Sequence, residues 1–81
     1  MPMDFSASPK VVGAKQVKRA IEGGRAAQVF LASDADPRVT KPIAILCGKW
    51  NLPIVRNSSM KELGKACGIS VGAAVAALLK E

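Results

Sequence analysis

Three basic side chains and one side-chain amide follow a glycine near the start of the chain. In the stretch GAKQVKR, which begins at Gly13, they are Lys15, Gln16, Lys18 and Arg19. At about 100° per residue the three cations share one face of a helix, and Gln16 borders that face. Peptide dipoles make the N-terminal end of a helix positive, so cations there are unfavourable without an anionic partner. The pattern therefore predicts a site that binds an anion such as a phosphate.

The same cluster can also be interpreted as the solvated face of a surface helix. Glu22 lies on that face and offsets one cation. The position of the cluster at a helix start, behind a glycine that lets another backbone come close, favours anion binding. Lys15 and Arg19 can reach the O6 and N7 atoms of guanine, while Gln16 can donate and accept. No helix-turn-helix partner is visible, and RNA is read at bulges and splayed bases, so we favour RNA.

A second candidate surface is the small, apolar stretch GISVGAA at residues 68–74. It lies between a predicted helix end and a predicted strand. An apolar loop at this point can pack on an unstacked base. The alternative is an ordinary helix-to-strand connection.

Composition limits the class of protein. The 81 residues form one domain, and twelve Lys and Arg against six Asp and Glu give a net charge of +6. Such an excess points to a polyanionic partner, with charge for solubility alone as the alternative. The chain has no histidine and no acid pair at useful spacing. We therefore expect neither an enzyme nor a metal or cofactor site.

Compartment and redox state are predicted from the apolar segments and the cysteines. The longest apolar stretch, Val71 to Leu79, is too short for a spanning helix of about 20 residues, and the first ten residues lack a signal-peptide pattern. Cys47 and Cys67 fit no metal-ligand spacing and lie in apolar patterns. We expect a cytoplasmic protein without a membrane partner, with both thiols reduced in the core.

An alternation of strands and helices positions the two candidate surfaces. The patterns predict a short strand before Gly13, strands at 27–33 and 53–57, and helices at 14–22, from about 41 to 50 and after Ser59. The last segment, residues 69–81, is ambiguous by periodicity, and the alternation favours a fourth strand. We predict an α/β fold, a three-layer α/β/α sandwich with a mixed, about four-stranded sheet. Residues 1–9 are expected to be loosely ordered.

Several local predictions concern the second helix. Asp36 is its candidate N-cap, but Pro42 would break an interior hydrogen bond, which predicts a loose turn over residues 37–40. Trp50 follows Ile43 and Cys47 at helical spacing and is predicted to face the core. A stacking platform for a base is the alternative for Trp50.

Two further predictions concern the third helix. Ser59 and Glu62 have the spacing of a capping box. Gly64 lies inside the helix, where glycine is unfavourable relative to alanine by about 1 kcal/mol. Such a glycine indicates close approach by another backbone.

Taken together, these residues resemble the kink-turn RNA-binding ribosomal proteins of the L7Ae and L30e superfamily, in its small bacterial form. The resemblance covers residues 10–80 and depends on the order and spacing of several stretches. They are GAKQVKRAIEGGRAAQVFLASDADP from Gly13, Leu46-Cys47, LPIV at 52–55 and SSMKELGKACGISVGAA at 58–74.

The resemblance implies an α/β/α sandwich, monomeric when free, that binds a sharply bent RNA internal loop with sheared G·A pairs and an extruded nucleotide. Gly13 would let the RNA backbone come close. The residues implied to reach the sheared guanines and nearby phosphates are Lys15, Gln16 and Arg19, with Lys18 as an additional phosphate contact. Those implied to cover the extruded base are Ile69, Ser70, Val71, Gly72 and Ala73.

The leading interpretation is a non-enzymatic RNA-binding module, ribosomal or ribosome-associated, whose partner is kink-turn RNA. The alternative is a protein-interaction module with an incidental basic face. In that case the small-residue run Val71 to Ala77 would pair across an interface.

Overall fold

The computed structural model describes residues 8–80, apart from the side chain of Asn57. The predicted alternation is confirmed, including a strand in the ambiguous last segment. In chain order the elements are β1 (Lys10–Val12), α1 (Ala14–Glu22), β2 (Ala26–Ala32), α2 (Pro37–Lys49), β3 (Ile54–Ser58), α3 (Met60–Ala66) and β4 (Val75–Leu79). Most of the segment expected to be loosely ordered, residues 1–7, lies outside the described range.

The sheet has the strand order β1-β4-β2-β3. Strand β4 pairs antiparallel with both β1 and β2, whereas β2 and β3 are parallel, so the sheet is mixed as predicted. Because β4 lies inside the sheet, Val75, Ala76 and Ala77 are fully buried. A run that includes these residues cannot pair across an interface, so the surface of the alternative protein-interaction hypothesis, Val71 to Ala77, is wrong.

Helices cover both faces of the sheet. Successive strand residues point to opposite faces. Val29 and Leu31 of β2 therefore pack in a core with α1 and α2, whereas Phe30 and Ala32 pack in a second core with α3. The continuous apolar run at residues 29–32 of β2 follows from burial on both sides. The three-layer α/β/α sandwich is confirmed.

Each core contains one cysteine. Cys47 belongs to the core beneath α1 and α2, and Cys67 to the core beneath α3, and both are free thiols. Burial raises the pKa of both thiols. Their prediction as reduced core residues is confirmed, and little reactive thiolate is present at neutral pH.

Helix α2 begins earlier than predicted. The Asp36 side chain accepts a hydrogen bond from the Arg38 amide at 2.9 Å, and two further amides of the first turn donate to the Asp36 carbonyl. This cap starts a regular helix at Pro37, so the loose turn predicted over residues 37–40 is wrong. Pro42 removes only the amide that would donate to the Arg38 carbonyl. Arg38 is exposed, so water can replace that donor.

Trp50 does not lie in the core, and its prediction as a core residue is wrong. Its side chain is 47% exposed, although Ile43 and Cys47 at the same helical phase are buried. The helix ends at Lys49, and the chain reverses direction through Trp50 and Asn51, where φ is +55°. The helical phase therefore no longer directs the Trp50 side chain toward the sheet.

The capping box of α3 is confirmed. The Ser59 hydroxyl accepts from the Glu62 amide at 3.1 Å, and the Glu62 carboxylate accepts from the Ser59 amide at 2.9 Å. The hydrogen bond from the Ser59 amide lowers the pKa of Glu62. At the start of α2, the hydrogen bonds from Arg38 lower the pKa of Asp36 in the same way.

Gly64 confirms the predicted close approach of two backbone segments. A Cβ atom at this position would collide with the carbonyl oxygen of Val71 and approach Cα of Gly72. The loop after α3 therefore lies directly on the helix, and only glycine provides the space.

Substitution Gly64→Ala is expected to destabilise the protein by about 1–3 kcal/mol, because the loop must move away from the helix. The matched control is Gly48→Ala in α2, where an added Cβ meets nothing within 4 Å. That change is expected to stabilise by roughly 0.5–1 kcal/mol. Urea denaturation measures both values, and equal effects of the two substitutions would show that the loop does not rest on α3.

The charge of Glu62 is expected to stabilise α3 in a pH-dependent way. Because its folded pKa is lowered, the contribution is complete above the unfolded value of about 4.3 and is lost as pH falls through the folded pKa. Glu62→Gln keeps a cap without that titration. The wild type is therefore expected to exceed this variant in urea midpoint at pH 7, and the difference is expected to shrink as pH falls through the folded pKa of Glu62. A difference that stays constant with pH would contradict the capping role of the charge.

Candidate nucleic-acid interface

Three helices begin at one end of the sheet. Strands β1 and β2 both run antiparallel to β4, and β3 runs parallel to β2. The carboxyl ends of β1, β2 and β3 therefore lie at the end of the sheet where β4 begins. Each of these three strands is followed by a helix. We call this end the helix-start edge, and it comprises Gly13, residues 33–36, Ser59 and the loop at 69–74. The partial positive charges of three helix N-termini gather there.

The start of α1 differs from the other two. Asp36 caps α2 and Ser59 caps α3, whereas α1 has Gly13 at its N-cap, no side-chain cap and no acidic residue in its first turn. The φ of Gly13 is +98°, and nothing lies within 4 Å of the position a Cβ would take. The amides of the first turn have no acceptor within the helix, and the open space at Gly13 lets another backbone come close to the helix start.

The basic side chains on α1 have no anionic partner among residues 8–80. Lys15, Lys18 and Arg19 are exposed, and none of them forms an ion pair or hydrogen bond in the part of the chain that the structure describes. Glu22 shares their face but lies too far from each for an ion pair. The offset expected from Glu22 is thus not a direct contact, and the positive charge beside the uncapped helix start remains uncompensated.

The four polar residues of α1 do not all serve one surface. Lys15, Gln16 and Arg19 are exposed near Gly13, whereas Lys18 lines a groove on the side of α1 that faces α2. In sequence, Lys18 and Arg19 look equivalent. Only the packing of α1 against α2 distinguishes them.

The loop at 69–73 presents one large apolar side chain to solvent. Val71 is 67% exposed, Ser70 and Gly72 are also exposed, and Ile69 is half-buried. Ala73 differs because its side chain is only 3% exposed and packs in the core beneath α3. Of the loop residues predicted to cover the extruded base, Ala73 therefore anchors the loop to the core, and only the other four are accessible to a ligand.

Hydrogen bonds join this loop to the start of α1. The Gly13 amide donates to the Val75 carbonyl at 3.0 Å, and the Ala32 amide donates to the Ala74 carbonyl at 2.9 Å. The residue after the loop is thus bonded to the N-cap of α1. The two candidate surfaces, separated by about fifty residues in sequence, are neighbours at the helix-start edge.

A groove of about 480 Å³ runs beside the loop. Its lining includes Val71, Asp34 and two lysines of α3, Lys61 and Lys65. Sequence analysis missed these lysines as candidate site residues, although their spacing of four residues places them on one helix face. The Asp34 carboxylate accepts a hydrogen bond from the Met60 amide at 2.7 Å. No local pattern could reveal that contact, which joins residues 26 positions apart.

Residues 8–80 form neither a metal-ligand cluster nor a membrane-spanning helix. No three acidic, cysteine or histidine side chains come together there as a metal site requires. No helix there has the length and apolar character needed to cross a membrane.

The sequence matches the ribosomal protein L7Ae/L30e/S12e/Gadd45 family over residues 7–81. An RNA-binding protein of Geobacillus sp. (strain WCH70) is 43% identical over 76 residues, covering 94% of this chain and 93% of that protein. An RNA-binding protein of Caldanaerobacter subterraneus subsp. tengcongensis is 48% identical over 68 residues, covering 84% and 83%.

Solved structures agree with this match. A 15.5kD RNA binding protein of Giardia lamblia superposes with a TM-score of 0.84 at 31% identity, covering 90% of this chain and 62% of that one. This chain thus spans less than two thirds of the Giardia chain. A Bacillus halodurans protein of unknown function superposes with a TM-score of 0.81 at 27% identity, covering 88% and 71%. The resemblance in sequence is thereby confirmed, and the chain belongs to the ribosomal protein L7Ae/L30e/S12e/Gadd45 family.

Proposed function

We propose that this protein binds RNA at the helix-start edge and recognises a kink-turn, a bent internal loop with sheared G·A pairs and an extruded base. One observation carries the proposal: the uncapped, cation-bearing start of α1 lies beside an exposed apolar loop. The relatives in Geobacillus and Caldanaerobacter are named RNA-binding proteins, which supports the class of ligand.

The start of α1 binds the RNA backbone and the guanines. A phosphate beside Gly13 accepts from the free first-turn amides and lies in the positive field of the helix. In a regular A-form helix the base edges lie in a deep, narrow groove that side chains cannot enter. A bent internal loop exposes its guanine edges, and Lys15, Gln16 and Arg19 are the exposed side chains near Gly13 that can donate to them.

The apolar loop covers the extruded base. Val71 has no packing role in the free protein and offers an apolar surface to a base that has lost its stacking neighbours. Lys61 and Lys65 line the same groove and supply positive charge for the phosphates on either side of that nucleotide. With Lys15, Arg19 and the additional phosphate contact Lys18, they make five cations, which agrees with about four to six neutralised phosphates.

The activity we propose is binding without catalysis, by a monomer, with ribosomal or ribosome-associated RNA as the cognate class. The name of the family supports a ribosomal RNA. Binding stabilises the kinked form because the start of α1 and the loop contact features that a straight duplex does not present together.

The double substitution Lys15→Ala and Arg19→Ala is expected to abolish discrimination between a kink-turn RNA and a straight duplex. The salt dependence of log K is expected to fall by roughly 0.7–0.9 per lost phosphate contact. The control, Arg25→Ala with Lys80→Ala, removes two exposed cations at the opposite end of the sheet. Fluorescence anisotropy at several salt concentrations measures both variants. Unchanged discrimination in the Lys15 and Arg19 variant would eliminate the proposed site.

Substitution Val71→Ser is expected to weaken binding about tenfold when the RNA has an extruded nucleotide, because the apolar contact of the loop with the base is lost. Affinity for the same RNA without that nucleotide is expected to stay nearly constant. A fluorescent 2-aminopurine at the extruded position reports the contact directly, and Val71→Ile is the apolar control. Equal losses on both RNAs would show that the loop does not cover the base.

A further inference from the structure

One exposed apolar side chain has no role in the fold or in the proposed RNA interface. Ile45 is 64% exposed in the middle of α2. It lies eight residues, or about 12 Å along the helix axis, beyond Pro37 at the helix-start edge. Of the other exposed large apolar side chains among the described residues, Val71 belongs to the loop and Trp50 to the end of α2. Ile45 is the one of these three that lies inside a helix.

Ile45 forms one wall of a groove of about 240 Å³ between α1 and α2, which we call the α2 groove. Its lining is apolar except for two lysines. The lining residues are Lys18, Pro42, Ile43, Ile45, Leu46 and Lys49. Neither lysine forms an ion pair among the described residues, and no carboxylate lines the groove. The groove therefore combines an apolar floor with two uncompensated positive charges.

We propose that the α2 groove binds an acidic, amphipathic segment of a partner protein. An apolar side chain of the segment packs on Ile45, and a flanking carboxylate pairs with Lys49, the lysine of the groove that has no role in the proposed RNA interface. Helices with one apolar face commonly bind to other proteins by this groove geometry. Charge complementarity selects the acidic members of that class.

Two other occupants fit the groove less well. A second copy of this chain is disfavoured because each copy carries a net charge of +6 and two copies repel each other. RNA contacts are made chiefly to phosphates by charged and polar groups. Four of the six lining residues, Ile45 among them, are apolar and offer nothing to a phosphate.

The test uses the full chain, labelled with ¹⁵N, and a synthetic peptide of about 16 residues with leucines at helical spacing among glutamates. A second peptide has glutamine in place of every glutamate. The acidic peptide is expected to shift the amide resonances of residues 42–49 and to change the emission of Trp50, which follows Lys49 and is the only tryptophan. The glutamine peptide is expected to bind about tenfold more weakly.

Three variants locate the binding. Ile45→Asp and Lys49→Glu are each expected to lower the affinity for the acidic peptide about tenfold. Arg25→Glu is a matched charge reversal at an exposed position outside the groove and is expected to change affinity less than about twofold. All three changes are at exposed positions, and circular dichroism checks their folding. Binding of kink-turn RNA by Ile45→Asp is expected to equal that of the wild type.

Several results would overturn the proposal. One is that the amide resonances of residues 42–49 do not shift at millimolar peptide. The others are equal affinity of the protein for the two peptides and normal binding of the acidic peptide by Ile45→Asp. A loss of RNA affinity in Ile45→Asp would assign the groove to the RNA interface instead. If the wild-type protein does not bind RNA, the peptide result is unaffected. Failure of the proposed RNA binding can therefore be distinguished from failure of the proposed peptide binding.

Discussion

The hydrogen bond from the Gly13 amide to the Val75 carbonyl is the contact on which the candidate surface depends. It pairs the Gly13 amide with the sheet, whereas the next three amides of α1 have no acceptor among residues 8–80. It also fixes the loop before β4 beside the first turn of α1. The positive φ of Gly13 makes this geometry possible, because a residue with a side chain would be strained there.

Stability and ligand recognition are located in different parts of the molecule. The two cores on either side of the sheet contain the buried apolar side chains, while the start of α1 has cations where the helix dipole is already positive. Such a violation of local helix preferences is stable because tertiary packing holds α1 in place through residues such as Val17 and Ile21. An anion bound at this end would convert an unfavourable arrangement into a favourable one.

The chain order of strands and helices and the fold class were predictable from sequence because their signals are local. Strand β2 contains a continuous apolar run at residues 29–32, and the capping box of Ser59 and Glu62 marks the start of α3. From sequence, Gly64 predicted that another backbone segment approaches α3, but it did not identify that segment. That partner, Val71, is known only once α3 and the following loop are packed together.

The errors and omissions arose where local rules compete or where distant residues meet. The cap by Asp36 outweighs the single hydrogen bond lost at Pro42, so α2 begins one turn earlier than expected. Trp50 keeps the helical phase in sequence, but the helix has ended before it. The lysines beside the loop, Lys61 and Lys65, become candidates only when α3 is placed next to Val71.

The most direct test of the account is to follow the backbone amide resonances of Ala14, Lys15 and Gln16 while kink-turn RNA is added to the protein. A fully paired duplex of the same length serves as the comparison. We predict large downfield shifts of these three amides with the kink-turn, together with changes at residues 69–72, because the amides gain a phosphate acceptor. Saturable kink-turn binding that leaves the three amides unmoved would contradict the central claim.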